Sequence, residues 1–206
     1  MNGHSLKVET VSKRKDTEKY HRIIEAATKV FAKNGFYPSK IAQIAKEAGV
    51  ADGTIYIYFE NKDDILISLF EEQMKAVLDN MTLQVAKFDN PVEKLEIFAS
   101  THLGLIEMNK DMAEIIQVEL RQSGKFMKEY KNERFIEYLD IIEDIIIKGQ
   151  KMGLFKKDVI PGVAKRAFFG ALDEVSRFWV LSSRKPYDIR TVAKQISDFF
   201  LGGIKK

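Results

Sequence analysis

The chain of 206 residues has no cysteine, only four prolines and twelve glycines, one tryptophan and three histidines. Without cysteine there is no disulfide framework, no thiolate zinc site and no cysteine nucleophile, which agrees with a reducing compartment. The scarcity of proline and glycine excludes collagen-like and low-complexity chains. No run reaches the roughly 18 apolar residues that span a bilayer, and the opening MNGHSLKVETVSKRKD lacks the apolar stretch of an export signal. The expectation is therefore a soluble, cytoplasmic protein with no membrane partner. Catalysis has little to work with. His4, His21 and His102 form no His-x-x-x-His pair, and Gly149 to Gly153 follows a helical pattern and not a strand, so it is no dinucleotide fingerprint. We expect no enzyme, no metal and no cofactor.

What is present is an ordinary globular mixture, 45% apolar and 31% charged, enough for one large domain or two small ones. The net charge of +3 is uneven along the chain. Residues 1–62 carry 11 Lys and Arg against 7 Asp and Glu, whereas the rest carries 22 against 23. All the positive excess lies in the first third, the pattern of a nucleic-acid-binding head on a neutral body.

Apolar residues recur at helical spacing almost everywhere, and no segment alternates as a strand does. Residues 1–16 lack periodicity, contain Lys13, Arg14 and Lys15, and read as a flexible basic tail. Tyr20, Ile23, Ile24, Ala27, Val30 and Phe31 mark a helix from Thr17 to Lys33 that Asn34-Gly35 stops. Two short helices follow, one capped by Ser39 and ended by Gly49, the other capped by Asp52 and running to about Phe59. Two short helices around a Gly-containing turn have the form of a helix-turn-helix. Asn61, with Asp64 behind it, caps a longer helix. Further helices are expected at about Pro91 to Met108, Asp111 to Gln122, Lys125 to Met152, Pro161 to Ser183 and Asp188 to Ile204.

On a helical wheel of about 100° per residue, Ile55, Tyr58 and Phe59 share one side of the second short helix. Gly53, Tyr56 and Ile57 share the other, with Thr54 at the border. The first side faces a small core and the second faces outward; Tyr58 reads equally as a core aromatic. An uncharged face of Gly, Thr, Tyr and Ile suits a helix in the major groove, where Tyr and Thr bond to phosphates or base edges and Ile meets a thymine methyl. Ser39, Lys40, Lys46 and Lys62 stand where phosphates are anchored.

The stretch from Ile23 to Leu66, with VFAKNGFYPSKIAQIAKEAGVADGTIYIYFENKDDIL at its heart, resembles the DNA-binding domain of TetR-family transcriptional regulators. That resemblance makes Ser39 and Lys40 phosphate or base contacts, Gly53, Thr54, Tyr56, Ile57 and Tyr58 recognition-helix contacts, and Lys62 a phosphate contact. Ile57 departs from the polar or His residue common there, so that step is expected to be read by apolar contact or not at all. The resemblance also implies an all-α architecture: a three-helix DNA-binding domain at 17–62, then a six-helix ligand-binding and dimerisation domain at 63–206. The last two helices would pair with those of a second copy through Phe168, Leu172, Val175, Phe178, Trp179, Ile196, Phe199 and Phe200.

Within that family, QVELRQS at Gln117 to Ser123 and FFGALDEVSRFWV at Phe168 to Val180 look similar to the regulators of fatty-acid degradation, whose effector is long-chain acyl-CoA. Such a ligand needs an elongated apolar tunnel. Phe98, His102, Leu105, Ile116, Leu120, Tyr138, Ile142 and Phe169 are candidates to line it, though each also suits plain core. Arg121 and Arg177 are candidates for the CoA phosphates, and Arg121 equally suits a salt bridge with Glu114 or Glu119. The expected partners are double-stranded operator DNA, a hydrophobic effector and a second copy of the chain. The alternatives are a repressor of an efflux pump that senses hydrophobic drugs, and a constitutive DNA-binding protein with no ligand.

Overall fold

A computed structural model describes residues 3–119, 123, 130–184 and 187–206, with side chains from Thr17 onward except those of Lys110 and Glu119. Among the described residues there are nine α-helices: α1 Gly3–Asn34, α2 Ile41–Ala48, α3 Asp52–Tyr58, α4 Lys62–Ala86, α5 Pro91–Met108, α6 Lys110–Glu114, α7 Glu133–Lys151, α8 Pro161–Leu181 and α9 Ile189–Ile204. A π-helical turn, Ile115–Glu119, continues α6, and the only strand-like pairing described is the isolated bridge between Phe155 and Lys205.

The residues divide into two compact units. The first, the head, runs through Phe70 and includes Ser123; the second, the body, takes Glu71–Val118 and the described residues from Tyr130 onward. Two differences from the sequence reading stand out. The backbone of 3–16 is helical and continuous with α1, because nothing between Gly3 and Asn34 breaks a helix: that stretch has no proline and no internal glycine. The head also extends past Lys62, since Ile65, Leu66 and Leu69 of α4 are fully buried.

In the head, α1 packs on α2 and α2 on α3. Ile23, Phe31, Phe36, Ile44 and Ile55 are fully buried, each worth about 1.5–3 kcal/mol of transfer free energy. Phe31 meets Phe36 edge-on at 5.3 Å, and Tyr20 stacks on Phe59 at 5.3 Å. Gly35 and Gly49 end α1 and α2 at φ 80° and 64°, the left-handed region expected of a glycine stop.

In the body, α5 is central and contacts α6, α7, α8 and α9. Asn90 accepts from the Val92 amide ahead of Pro91, and Asp188 accepts from the Thr191 amide, both at 2.9 Å. Helix α7 begins at Glu133, capped by Asn132, so the expected helical stretch 125–129 lies outside the described residues.

Candidate nucleic-acid interface and buried aromatic site

The turn from α2 to α3 is built by backbone chemistry. Gly49 takes the left-handed conformation, the Val50 amide donates to the Ala45 carbonyl at 3.0 Å, and Arg22 Nη2 donates to the carbonyls of Ala48 (2.5 Å) and Gly49 (3.3 Å). A cation at these carbonyls also meets the negative end of the α2 dipole. Helix α3 then presents the side the wheel identifies. Ile55 and Phe59 are buried, whereas Tyr56 is 59% and Ile57 76% exposed. Gly53 is exposed and an added Cβ there would meet nothing within 4 Å, so a ligand's backbone can approach closely. Thr54 is half-exposed, and Tyr58 is half-buried with its ring 6.2 Å from Tyr20, which makes it a border residue.

Three sequence expectations need correction here. Ser39 is buried and its hydroxyl donates to the Gly35 carbonyl at 2.6 Å, so it neither caps α2 nor offers its side chain to DNA. The N-cap of α2 is Lys40, whose amide donates to Gln43 Oε1 at 2.8 Å and whose side chain is exposed. Asp52 is the first residue of α3 and not its cap; Ala51 takes that place with no side-chain bond. Lys62 turns inward in the structure. Its Nζ donates to the carbonyls of Phe36 (2.6 Å), Tyr37 (2.9 Å) and Ser39 (3.0 Å), which uses all three ammonium protons, and it lies 4.5 Å from the Phe36 ring centre. Burial lowers the Lys62 pKa, opposed by Asp63. Asn61 does cap α4, through the Asp64 amide at 3.0 Å. The reading missed Tyr37, which is 60% exposed on the turn that Lys62 grips.

The body contains a cluster of rings. Phe98 lies 5.0 Å from Tyr138 and 6.3 Å from Phe168; Phe169 lies 5.5 Å from His102 and 5.1 Å from Phe135. Inside it is one neutral polar relay. Ser176 donates its hydroxyl to the Leu172 carbonyl at 2.8 Å, so its oxygen accepts from His102 Nε2–H at 3.4 Å. That assigns the tautomer and leaves His102 Nδ1 to accept from the Tyr138 hydroxyl at 2.7 Å. Burial lowers the His102 pKa to about 4, with Asp173 opposing, and raises that of Tyr138. Nearby, Gln117 in the π-helical turn donates to Asp173 Oδ1 at 3.1 Å.

Of the candidate lining residues, Phe98, Tyr138 and Ile142 are buried, and His102, Leu105, Ile116 and Phe169 are half-buried. The structure brings Phe98, His102, Tyr138 and Phe169 together. Leu120 and Arg121 lie outside the described residues. The Arg177 guanidinium forks onto Glu174 at the surface of its own helix, at 2.7–3.1 Å. Of the residues expected at a dimer interface, Phe168, Leu172 and Trp179 are instead buried within the chain, where Phe168 packs on Phe200 at 4.6 Å. Val175, Ile196 and Phe200 are half-buried, while Phe178 is 50% and Phe199 78% exposed.

Comparison with known proteins agrees with this geometry. Residues 23–69 match the profile for bacterial regulatory proteins of the tetR family, and residues 70–203 match the C-terminal region of YsiA-like proteins. The chain is 38% identical over 186 residues to the fatty acid metabolism regulator protein of Bacillus subtilis, covering 90% of this chain and 95% of that one. The Bacillus subtilis regulator FadR, solved in complex with stearoyl-CoA, superposes with a TM-score of 0.83 at 37% identity, covering 90% of this chain and 99% of that one. The fatty acid degradation regulator FadR of Bacillus halodurans superposes equally well, with a TM-score of 0.83 at 37% identity over 90% of this chain and 95% of its own. With an all-α fold, an outward reading helix and profiles that together run from residue 23 to 203, the chain belongs to the TetR family of DNA-binding transcriptional regulators.

Proposed function

We propose that the chain is a homodimeric repressor that reads its operator through α3 and releases it when long-chain acyl-CoA enters the body. The similarity to a regulator solved with stearoyl-CoA carries the effector assignment. The site chemistry supports it. The ring cluster is apolar, and its polar relay is neutral because His102 stays unprotonated until about pH 4. A long alkyl chain joined to an uncharged thioester matches both properties, whereas a free carboxylate would have to be desolvated near Asp173. Entry of the chain requires the rings of Phe98, Tyr138 and Phe169 to part, so ligand and closed cluster compete; that gives the effector the differential affinity a population shift needs.

At the DNA, Gly53, Thr54, Tyr56 and Ile57 take the base edges and nearby phosphates, Tyr58 the border, and Lys40 and Tyr37 the backbone. Two copies place two α3 helices in successive major grooves about 34 Å apart. The exposed rings of Phe178 and Phe199 supply the apolar surface a second copy covers.

Thermal shift tests the effector. Stearoyl-CoA at 100 times its Kd is expected to stabilise the body by about 2.7 kcal/mol, with short-chain acyl-CoA and free stearate ineffective. A shift with cationic drugs and none with acyl-CoA overturns the assignment in favour of an efflux-pump regulator.

A further inference from the structure

The body is close to neutral as a whole, yet its positive charge is gathered at one end. The segments 148–158 and 202–206 carry Lys148, Lys151, Lys156, Lys157, Lys205 and Lys206 against one acid, Asp158, which leaves 16 bases against 22 acids for the rest of residues 63–206. We propose that this end of the body is a docking surface for an anionic lipid bilayer, on which the folded chain lies without inserting a helix. The proposal is independent of the effector assignment.

The two segments are distant in sequence and joined in space. After α7, Gly153 turns the chain in the left-handed region, at φ 74°. The Lys156 amide then donates to the Ile204 carbonyl at 2.9 Å, the Lys206 amide donates to the Leu154 carbonyl at 3.2 Å, and Phe155 and Lys205 form the antiparallel bridge. Phe155 anchors this stitch: its ring is fully buried against Gly149. Gln150 holds the rest of the loop, its Nε2 donating to the carbonyls of Lys156 (2.9 Å) and Val159 (2.7 Å). Alternation along the extended segment leaves Leu154 and Lys156 exposed on either side of buried Phe155.

This frame displays a surface that is both basic and apolar. Met152, Leu154 and Ile160 are exposed in the same loop as Lys151, Lys156 and Lys157. Among the described residues, Lys148, Lys151, Lys157, Lys205 and Lys206 form no ion pair, whereas Lys75, Lys165 and Lys194 of the same unit do. A cluster of about four to eight cations beside exposed aliphatic side chains matches an anionic bilayer, where ammoniums meet headgroup phosphates and the apolar groups enter the acyl boundary. A nucleic acid would favour stacking rings and arginines, and the two segments expose neither. A second copy docking patch to patch across a two-fold axis would set lysines against lysines. No helix among the described residues is long and apolar enough to cross a membrane, so the contact is peripheral. The expectation of no membrane partner rests on the lack of spanning segments, which excludes crossing a bilayer and not lying on one.

Flotation of the full-length chain tests this, using vesicles of mixed phosphatidylcholine and phosphatidylglycerol and vesicles of phosphatidylcholine alone, at low and at physiological salt. The chain is expected to float with the mixed vesicles only, and to detach as salt rises. Each lysine near an anionic surface contributes about fivefold to partition, so Lys151→Gln with Lys157→Gln, and separately Lys205→Gln with Lys206→Gln, should lower it more than about tenfold. Lys19→Gln with Lys33→Gln removes the same charge from the head and should leave partition unchanged. Leu154→Ser should lower it severalfold without altering its salt dependence. All these side chains are exposed, so each variant should melt as wild type does. Absence of flotation with the mixed vesicles overturns the proposal. So does an equal loss in the head pair, which would make overall charge the cause. Wild-type flotation of the two patch pairs overturns it as well, and a loss of random-duplex affinity in those pairs would make the surface one for nucleic acid. Wild-type flotation of Leu154→Ser overturns the lipid assignment in favour of an acidic macromolecule.

Discussion

In the head, Arg22 and Lys62 turn inward onto backbone carbonyls, while in the body Lys165 turns onto Asp140 and Glu143 and Arg134 onto Glu71 at 2.6 Å; the exceptions are Lys29 of the head, which meets Glu47, and Lys156 of the body, which donates to the Gly203 carbonyl. Both arrangements tie elements together, but they differ in what they leave over. A carbonyl satisfies a cation without cancelling its charge; a carboxylate cancels it. The head thus keeps its excess of positive charge while using two of its cations structurally, and the body stays close to neutral. For a protein whose head meets a polyanion, a clamp that preserves charge keeps the long-range attraction that brings DNA to the reading face.

The same contrast holds for the rings. Tyr37 and Tyr56 of the head face out; Phe98, Tyr138 and Phe168 of the body are buried against one another. Substitutions in each region should therefore report on different properties. The largest loss of stability is expected from Ile55→Ala, which empties the head core and should cost about 2–5 kcal/mol, read as a lower melting temperature together with loss of operator binding. Gly149→Ala strikes the body. Its Cβ would fall 2.1 Å from the Phe155 ring, and the repacking should cost about 1–3 kcal/mol in chemical denaturation.

The pH dependence comes next. His102 binds its proton at about pH 4 in the folded chain and near 6.5 when unfolded, so the unfolded state takes up protons first as pH falls. Stability present at neutral pH is lost through that window. Between pH 7 and pH 5 the loss traceable to His102 should be about 2 kcal/mol, measured as the difference in that decline between wild type and His102→Gln. A decline identical in both proteins would place His102 in contact with water. Tyr56→Ala should change stability by no more than about 0.5 kcal/mol, because the ring is exposed. Its operator affinity should nevertheless fall by about 1–3 kcal/mol, with random duplex barely affected.

Much of this was legible in the sequence, for reasons that are local. Gly35 and Gly49 mark helix ends because the left-handed backbone there favours glycine, and Asn61 caps because its oxygen reaches an amide three residues on. The two sides of α3 follow from helical period alone. What the sequence hid depends on residues distant in the chain. Ser39 has the composition of a cap, yet its hydroxyl is turned back to Gly35; Lys62 stands where phosphates are bound, yet three carbonyls more than twenty residues earlier hold it. In the same way, Phe168, Leu172 and Trp179 carry the apolar character of an interface, and only the placement of α8 against α5 shows that the chain buries them itself. The relay through His102, Tyr138 and Ser176 joins three helices and has no sequence signature.

The central claim is that filling the buried ring cluster of the body governs the affinity of the head for DNA. Fluorescence anisotropy of a labelled operator, recovered by selection from genomic fragments and bound to the full-length chain, tests it by titration with stearoyl-CoA. The account predicts that anisotropy falls to the value of free DNA as stearoyl-CoA saturates the protein, and that octanoyl-CoA at the same concentration leaves the complex intact. Undiminished anisotropy at saturating stearoyl-CoA would contradict it.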